Sequence, residues 1–375
     1  MTINSKFQNY AQKNLSPIEK ERKFISQEWE RIQSFLKGDN FQSGSYARFT
    51  SITPVNDLDG IWVLPEDSMV KIFHEKFVQK SVAIDPEKDL QIHNIIEDLA
   101  KELEKKYKEK KINVEIKPQS HSVGIYFIDK DNFSIDIVPA IPTNENNEFG
   151  DPFFLVPEVL LKSHKARRDF YKSIEKGEIN GKIQWIKSDP KGYKENAKQL
   201  NDKNSDFRKA VKFPKRWKFN CKNQNDNFPL KSFHIEAIIT FYFEEDSTIT
   251  CFEAVDKFFL ELPKFLKKPH FPDRANEKQL TDEYIDDVPE TEKKLVLDKQ
   301  QKALEIIEKI KDEEFSDKEL NELLNEEVKI NIPASISRVK PNSQPYATHH
   351  EEVGRLTGIK ISEDDEVFLK KNFQR

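Results

Sequence analysis

The sequence predicts an α+β chain, a mixed sheet with helices followed by a mainly helical half. Three observations carry this. The first 140 or so residues alternate a helix, a strand, a helix and then a strand meander, which is not a repeated βαβ pattern. The strand segments are bounded by turn chemistry rather than by crossover helices. Beyond about Pro157 the apolar residues recur at helical spacing.

The first element covers Pro17–Leu36, where Phe24, Ile25, Trp29, Ile32 and Leu36 recur at three- and four-residue steps among charged residues. A turn at Lys37-Gly38-Asp39-Asn40 leads into Phe41-Gln42-Ser43-Gly44-Ser45-Tyr46. Leu58–Leu64 reads as a buried strand between Asn56-Asp57 and Pro65. Residues 88–110 form a charged amphipathic helix with Leu90, Ile92, Ile95, Ile96, Leu99 and Leu103 on one side. Strands follow at Ile112–Ile116, Ser122–Ile128 and Phe133–Val138, separated by Pro118-Gln119-Ser120-His121 and by Asp129-Lys130-Asp131-Asn132.

In the second half, turns are expected at Gly177, Gly181 and Asp189-Pro190. Residues 231–245 and 250–267 are Phe-rich and read as core helices. Residues 292–328 carry two amphipathic helices split near Phe315-Ser316-Asp317. After Asn331 come Pro333, Pro341 and Pro345 with little periodicity, which predicts an extended tail. At ~150 residues per domain, the 375 residues suit 1–150 as a first unit, 151–330 as a helical lobe and 331–375 as an irregular tail.

Composition narrows the function classes. Lys+Arg 61 against Asp+Glu 66 gives a net charge of −5, which excludes a strongly basic nucleic-acid coat protein. The Lys-rich stretch Lys105–Lys111 reads as a helix surface, so no nucleic-acid activator is indicated. Two cysteines, Cys221 and Cys251, exclude a disulfide scaffold and a Cys-rich zinc site. The N-terminus lacks the apolar core of a secretory signal. The longest apolar run, near Ala237–Phe243, falls short of the ~20 residues of a membrane span. A cytoplasmic protein with reduced thiols is expected.

The chemistry concentrates at Asp57-Leu58-Asp59. Side chains alternate along a strand, so the two carboxylates share a face while Leu58 points into the core. Their mutual repulsion is a cost unless a cation sits between them. Oxygen-only ligands suit Mg²⁺. Alone, such a pair is more often the solvated start of a strand. Eleven residues separate the pair from Gly44-Ser45 upstream, however, a step that can offer backbone N–H groups and a hydroxyl to a phosphate. Downstream, Ser134-Ile135-Asp136-Ile137-Val138-Pro139-Ala140 places one acid in an apolar strand, where it needs either a cationic partner or a metal. His349-His350-Glu351-Glu352 is the other metal-like cluster and reads as a solvated stretch of the tail. No P-loop, G-x-G-x-x-G loop or Ser/His/Asp hydrolase signature appears.

Gly-Ser, a spacer, acid-x-acid and a later strand acid together resemble the polymerase-beta-like nucleotidyltransferase superfamily. More narrowly, GSYARFTSI, DLD and SIDIVPA resemble the bacterial cGAS/DncV-like nucleotidyltransferases (CD-NTases) of CBASS anti-phage defence. Trp185-Ile186-Lys187-Ser188-Asp189-Pro190 is similar to that family's W-x-x-S/T-D-P segment. Residues Phe207 to Trp217 resemble its R-x-x-V-R-x-x-K-x-W helix, Ser232-Phe233-His234-Ile235-Glu236 its S-Y/F-H-L-E helix, and Phe271-Pro272-Asp273-Arg274-Ala275-Asn276 its D-P-x-x-x-N turn. The likeness covers about residues 40–280. Two positions depart: Pro214 stands where the family has an aliphatic helix residue, and Phe49 where it often has a small or polar one. A proline inside a helix removes a hydrogen bond and bends the axis.

The resemblance implies a bilobed nucleotidyltransferase core completed by the helical lobe. It implies template-independent nucleotidyl transfer from NTPs, ATP among them, to a cyclic di- or trinucleotide read by an effector protein, with a regulatory protein partner as a further option. Asp57, Asp59 and Asp136 would hold two Mg²⁺, with Mn²⁺ as a substitute. Gly44, Ser45, Lys215 and Ser232 would contact the donor triphosphate. Arg48 suits a structural ion pair equally well. Tyr193 and Trp185 would line the base pocket, although Trp185 also suits a core. The alternatives are a nucleotidyltransferase that tails RNA or AMPylates a protein, and a catalytically dead nucleotide-binding scaffold.

Overall fold

The computed structural model describes residues 1–65, 86–129, 133–159, 183–312 and 314–325. The turns expected at Gly177 and Gly181, the tail from 331 to 375 and its His349-His350-Glu351-Glu352 cluster lie outside the described residues.

The chain opens with α1 (Ile3–Tyr10), which the sequence reading did not anticipate. Thr2 caps it by accepting the Ser5 N–H at 3.1 Å. A π turn (Ala11–Leu15) continues it. Phe7, Tyr10, Ala11 and Leu15 face one way and are buried in the helical half of the molecule. The helix expected next is α2 (Glu19–Phe35), which buries Ile25, Trp29 and Ile32.

The sheet is assembled from β1 (Asn40–Ser43), β2 (Asp57–Val63), β3 (Val114–Pro118), β4 (Val123–Phe127) and β5 (Ser134–Asn146). A short helix α3 (Gly44–Ala47) joins β1 to β2, and α4 (Pro86–Glu109) precedes β3. Spatial order is β1-β2-β5-β4-β3. Among the described residues only β2 and β5 run parallel in this order; the other neighbours are antiparallel. Helices α2 and α4 cover one face, and Ile92, Ile96, Leu99 and Leu103 of α4 meet Leu58, Ile125, Ile135 and Ile137 of the strands in one core.

Strand β5 is longer than the expected Phe133–Val138 because it serves two partners. It pairs with β2 as far as Ala140, then with β6 (Pro152–Val159) from Ile141. The switch accommodates Pro139 and Pro142, which cannot donate to a ladder. The chain beyond Pro157 is therefore not helical at once. Residues Ile183–Ser188 form β7, paired with β6 across Phe154–Val159. The apolar residues Ile183, Trp185 and Ile186 fit no strict period of two, and it is the pairing with β6 that makes this stretch a strand where the sequence predicts helix.

The second core is helical: α5 (Pro190–Lys203), α6 (Phe207–Gln224), α7 (Ser232–Glu245), α8 (Cys251–Phe265), α9 (Glu290–Asp312) and α10 (Asp317–Leu323). A hairpin of β8 (Pro272–Asp273) and β9 (Asn276–Leu280) interrupts them. Asp189-Pro190 is the start of α5 rather than a free turn: Asp189 caps it and proline occupies the first helical turn. Pro214 lies inside α6 without ending it. Phe213, Trp217, Phe258 and Phe259 are each at most 1% exposed around it, and burying each such side chain contributes about 1.5–3 kcal/mol. That total exceeds the ~3 kcal/mol an interior proline costs. Cys221 and Cys251 are free and buried in this core.

Candidate active site

The three aspartates share one side of the sheet. On β2 the exposed Asp57, buried Leu58 and half-buried Asp59 alternate as expected. In the parallel ladder Asp59 stands opposite Asp136 of β5, and paired residues project to the same face. Across the other edge, Asp59 is opposite Ser43, the residue before Gly44.

Gly44 is where the turn and the acids meet. Its φ is 66°, in the left-handed region that favours glycine. A Cβ built there would lie 1.7 Å from Asp59 Oδ2. The Asp59 carboxylate thus occupies the space that a side chain at 44 would fill. Burial first, and then the charge of Asp57, push the Asp59 pKa up to about 6, with Arg48 and Lys215 pulling the other way. An acid pair in this state lacks a neutralising charge, which is what a divalent cation supplies. The donor set fits Mg²⁺ in kind. Its arrangement is not closed, since among the described residues no three His, Cys, Asp or Glu side chains surround a point that could hold a metal.

Asp136 accepts a hydrogen bond from Gln119 Nε2 at 3.1 Å. Gln119 sits between β3 and β4, in a segment the sequence presented only as turn chemistry.

Behind the Gly44-Ser45 turn the two lobes are joined by a buried ionic cluster. Arg48 Nε donates to Glu236 Oε1 at 2.5 Å, and Lys215 Nζ donates to Glu236 Oε2 at 2.6 Å. The Thr50 hydroxyl reaches Glu236 Oε2 at 2.9 Å and lies 3.2 Å from Lys215 Nζ. Thr50 N also donates to the Ser45 carbonyl at 3.0 Å, so the cluster is tied to the turn. Burial alone would raise the Glu236 pKa, but the charges of Arg48 and Lys215 outweigh it and hold the group at about 2. Burial pulls the Lys215 ammonium below its usual range, and Glu236 opposes this. Arg48 is therefore in the ion pair weighed for it. Lys215, 4% exposed, points into this cluster.

Ser232, the first residue of α7, accepts a hydrogen bond from Lys218 Nζ at 3.3 Å. Burial first, then Lys222 and Lys215, lower the Lys218 pKa to about 8, while Asp57 favours its charged form. Lys218 is therefore bonded to Ser232 and feels the charge of Asp57. The sequence reading passed over it, although Lys215 and Lys218 are three apart and share a helix face.

A cavity of about 790 Å³ opens between strands β6 and β7, helices α5 and α7, and the β8–β9 hairpin. Its wall includes Tyr193, Phe233, Phe241 and Phe271. Asp57, Asp59 and Asp136 are not part of the wall. Arg48 links the two places, since it lines the cavity and its charge acts on Asp59. Phe233 is 43% exposed, an apolar ring left open on α7. Tyr193 lines the cavity as expected and donates to Asp273 Oδ2 at 3.0 Å. Trp185 packs against the sheet core instead. Asp189 accepts from Gly192 N at 2.9 Å, Asn147 Nδ2 at 2.8 Å and Arg274 Nε at 3.2 Å. The W-x-x-S-D-P and F-P-D-R-A-N segments, far apart in sequence, thus meet at one corner of the cavity.

Comparison with known proteins bears on the fold that carries these residues. Residues 1–152 match the family model of the Second Messenger Oligonucleotide or Dinucleotide Synthetase domain. No curated protein matches the chain. Among solved structures, the E. coli MS115-1 CdnC:HORMA-deltaN complex is similar, with TM-score 0.58 and 14% identity over 86% of this chain and 96% of that one. E. coli MS115-1 CdnC with ATP gives 0.57 and 15% over 86% and 97%. The Bradyrhizobium diazoefficiens CD-NTase CdnG with GTP gives 0.55 and 9% over 87% and 95%. At these identities the likeness is one of fold. The bilobed fold class read from the sequence holds, and so does the resemblance to CD-NTases, now carried by the synthetase-domain match as well. No helix among the described residues is long and apolar enough to cross a membrane.

Proposed function

We propose that this chain is a template-independent nucleotidyltransferase that joins NTPs into a cyclic di- or trinucleotide second messenger. The observation that carries the reading is the lodging of Asp59 against Gly44, beside Asp57 and opposite Asp136. That contact brings a glycine-serine turn suited to a triphosphate onto a strand face of three carboxylates. The synthetase-domain match over residues 1–152 supports it.

In this reading Asp57, Asp59 and Asp136 hold two Mg²⁺, for which Mn²⁺ can substitute. Bound there, the ions supply charge neutralisation at the triphosphate and a more acidic acceptor hydroxyl. Gly44 and Ser45 seat the donor triphosphate, and Ser232 contacts it from the other lobe. Lys218 brings a positive charge to the same place, with Lys215 behind it. A ribose hydroxyl oxygen would then bond to the α-phosphorus as the bond to pyrophosphate breaks, the hydroxyl proton passing to water. Phe233 and Tyr193 offer faces for bases in the 790 Å³ cavity, a volume within the usual range for a small-molecule site. ATP is a natural donor, since the similar CdnC was solved with ATP and CdnG with GTP. A protein regulator is in keeping with the CdnC:HORMA-deltaN complex. The product would act on an effector of anti-phage defence in the cytoplasm.

The test is incubation with each α-³²P-NTP, the other three unlabelled, and Mg²⁺ or Mn²⁺, followed by phosphatase and mass spectrometry. A phosphatase-resistant small product is expected and identifies its bases. Label entering added RNA or protein instead would replace this reading with macromolecule modification. Nucleotide binding without turnover, in the presence of a cognate regulator, would leave a scaffold.

A further inference from the structure

The three aspartates are not held alike, and the difference isolates one residue. Asp57 is exposed at the start of β2, and Asp59 rests on Gly44. Asp136 is oriented by a side-chain amide delivered from outside its own strand. Gln119 Nε2 donates to Asp136 Oδ1 at 3.1 Å and to the Tyr126 hydroxyl at 3.0 Å. The other end of the amide is fixed too, because the Ser122 hydroxyl donates to Gln119 Oε1 at 2.8 Å. Ser122 has no exposed surface. An ionised carboxylate only accepts, so the amide end that faces Asp136 is the NH₂, and the Ser122 hydroxyl, able to donate or accept, then donates to Oε1. The amide therefore meets Asp136 as a donor.

The sheet makes room for this contact. Gly124 of β4 stands opposite Asp136 in the antiparallel ladder. A Cβ at Gly124 would lie 2.5 Å from Gln119 Nε2 and 2.8 Å from Tyr126 Cε2. A glycine here costs the strand β propensity, and what it leaves is the passage through which Gln119 reaches across β4. The backbone of the turn is closed independently by the Gln119 N–H donating to the Ser122 carbonyl at 2.8 Å. The turn thus does not depend on the Gln119 side chain.

We infer that Gln119, admitted by Gly124 and held by Ser122, is the positioning residue for Asp136: it fixes the carboxylate through Oδ1 on the sheet face shared with Asp59. This rests on the metal-binding role proposed above for the aspartates. A neutral donor suits that role, because it fixes the carboxylate without supplying the charge a cation would bring. Hydrogen bonds to metal-ligating carboxylates typically set affinity by 10–100-fold.

The test is Mn²⁺ binding to the full chain, read by electron paramagnetic resonance of free Mn²⁺, alongside thermal melting. Gln119→Leu keeps the volume and removes the donor. Gly124→Ala keeps Gln119 and blocks its path. Both are expected to raise the Mn²⁺ dissociation constant by roughly 10–100-fold, while Gln119→Leu still folds and melts only modestly lower, because the buried Ser122 hydroxyl loses its partner. Gln119→Leu binding Mn²⁺ as tightly as wild type overturns the inference, as does a lowered melting temperature with unchanged Mn²⁺ affinity, which would mark a purely structural glutamine. Wild-type protein whose Mn²⁺ binding survives Asp57→Asn plus Asp59→Asn would overturn both this inference and the metal role itself. Asp-dependent Mn²⁺ binding that weakens in the Gln119 variant, with no nucleotide product from wild type, would support the inference and refute the proposed activity.

Discussion

Replacing Glu236 by glutamine tests how the two lobes are held around the turn. Glu236 is 7% exposed and takes hydrogen bonds from Arg48, Lys215 and Thr50. Its pKa falls from an ordinary 4.5 to about 2. At ~1.36 kcal/mol per unit, that shift is worth roughly 3 kcal/mol to the folded state at neutral pH. A lowered folded-state pKa gives stability that is complete above 4.5 and is lost as pH falls through about 2. Glu236→Gln removes this and leaves two buried cations facing a neutral amide. Breaking a buried pair in this way costs about 3–5 kcal/mol. Urea unfolding at pH 7.5 should show that loss, and the gap to wild type should narrow toward pH 3. Adding Lys215→Met should recover part of it, because one of the stranded charges is then gone. Nucleotide affinity should fall as well, since Arg48 and Thr50 follow directly on Gly44-Ser45. A Glu236→Gln variant within 1 kcal/mol of wild type, or a double variant whose losses simply add, would refute the reasoning.

Other perturbations separate the roles within the pocket. Asp59→Asn should raise stability at pH 7.5 by at most about 3 kcal/mol, because a carboxyl raised from 3.8 to about 6 favours the fold below 3.8 and loses that contribution as pH rises through about 6; turnover should vanish, and a variant that melts below wild type at pH 7.5 would show a structural partner instead. Gly44→Ala puts a methyl 1.7 Å from Asp59 Oδ2 at a φ of 66°. It should cost about 1–2 kcal/mol of stability and, by displacing the turn, on the order of 100-fold in kcat/KM, so near-normal steady-state kinetics would contradict the close packing of turn and acid. Lys218→Met should raise the NTP KM by roughly 10–100-fold, the range for losing a hydrogen bond to a charged group. An unchanged KM with altered kcat would move Lys218 away from substrate binding.

What the sequence revealed follows from the range of each signal. Asp57, Leu58 and Asp59 were legible because a strand alternates every residue, and α2 and α4 because a helix repeats every three to four. These are local rules, and Ile25, Trp29, Ile32, Ile92, Ile96 and Leu99 all point inward as the spacing required. The misplaced element was β7, where Ile183 and Trp185 become strand through pairing with β6, a partner no local window contains. Strand β5 outgrew its expected end for the same reason. Gln119 reads from sequence as a turn residue because nothing in Pro118-Gln119-Ser120-His121 says that Gly124 clears a path to Asp136. Lys218 could have been found from its three-residue spacing to Lys215. Glu236 appeared in a motif without a role, since its partners Arg48 and Thr50 lie more than 180 residues earlier.

That long-range pairing explains why the two halves carry their motifs together. The segment Gly44-Ser45-Tyr46-Ala47-Arg48-Phe49-Thr50 supplies a turn against Asp59 at one end and two contacts for Glu236 at the other. The segment Ser232 to Glu236 supplies the hydroxyl beside Lys218 and, one helical turn on, the carboxylate that receives those contacts. One short piece of each lobe therefore carries the lobe attachment and, under the proposed function, would also place the substrate. A shift of α7 relative to the sheet would move Ser232 and pull on Thr50, which donates to the Ser45 carbonyl. The position of the turn over the acids and the packing of the lobes are then one mechanical quantity. On this argument, variants at Glu236 and Gly44 should not be additive in nucleotide affinity, although their side chains do not touch.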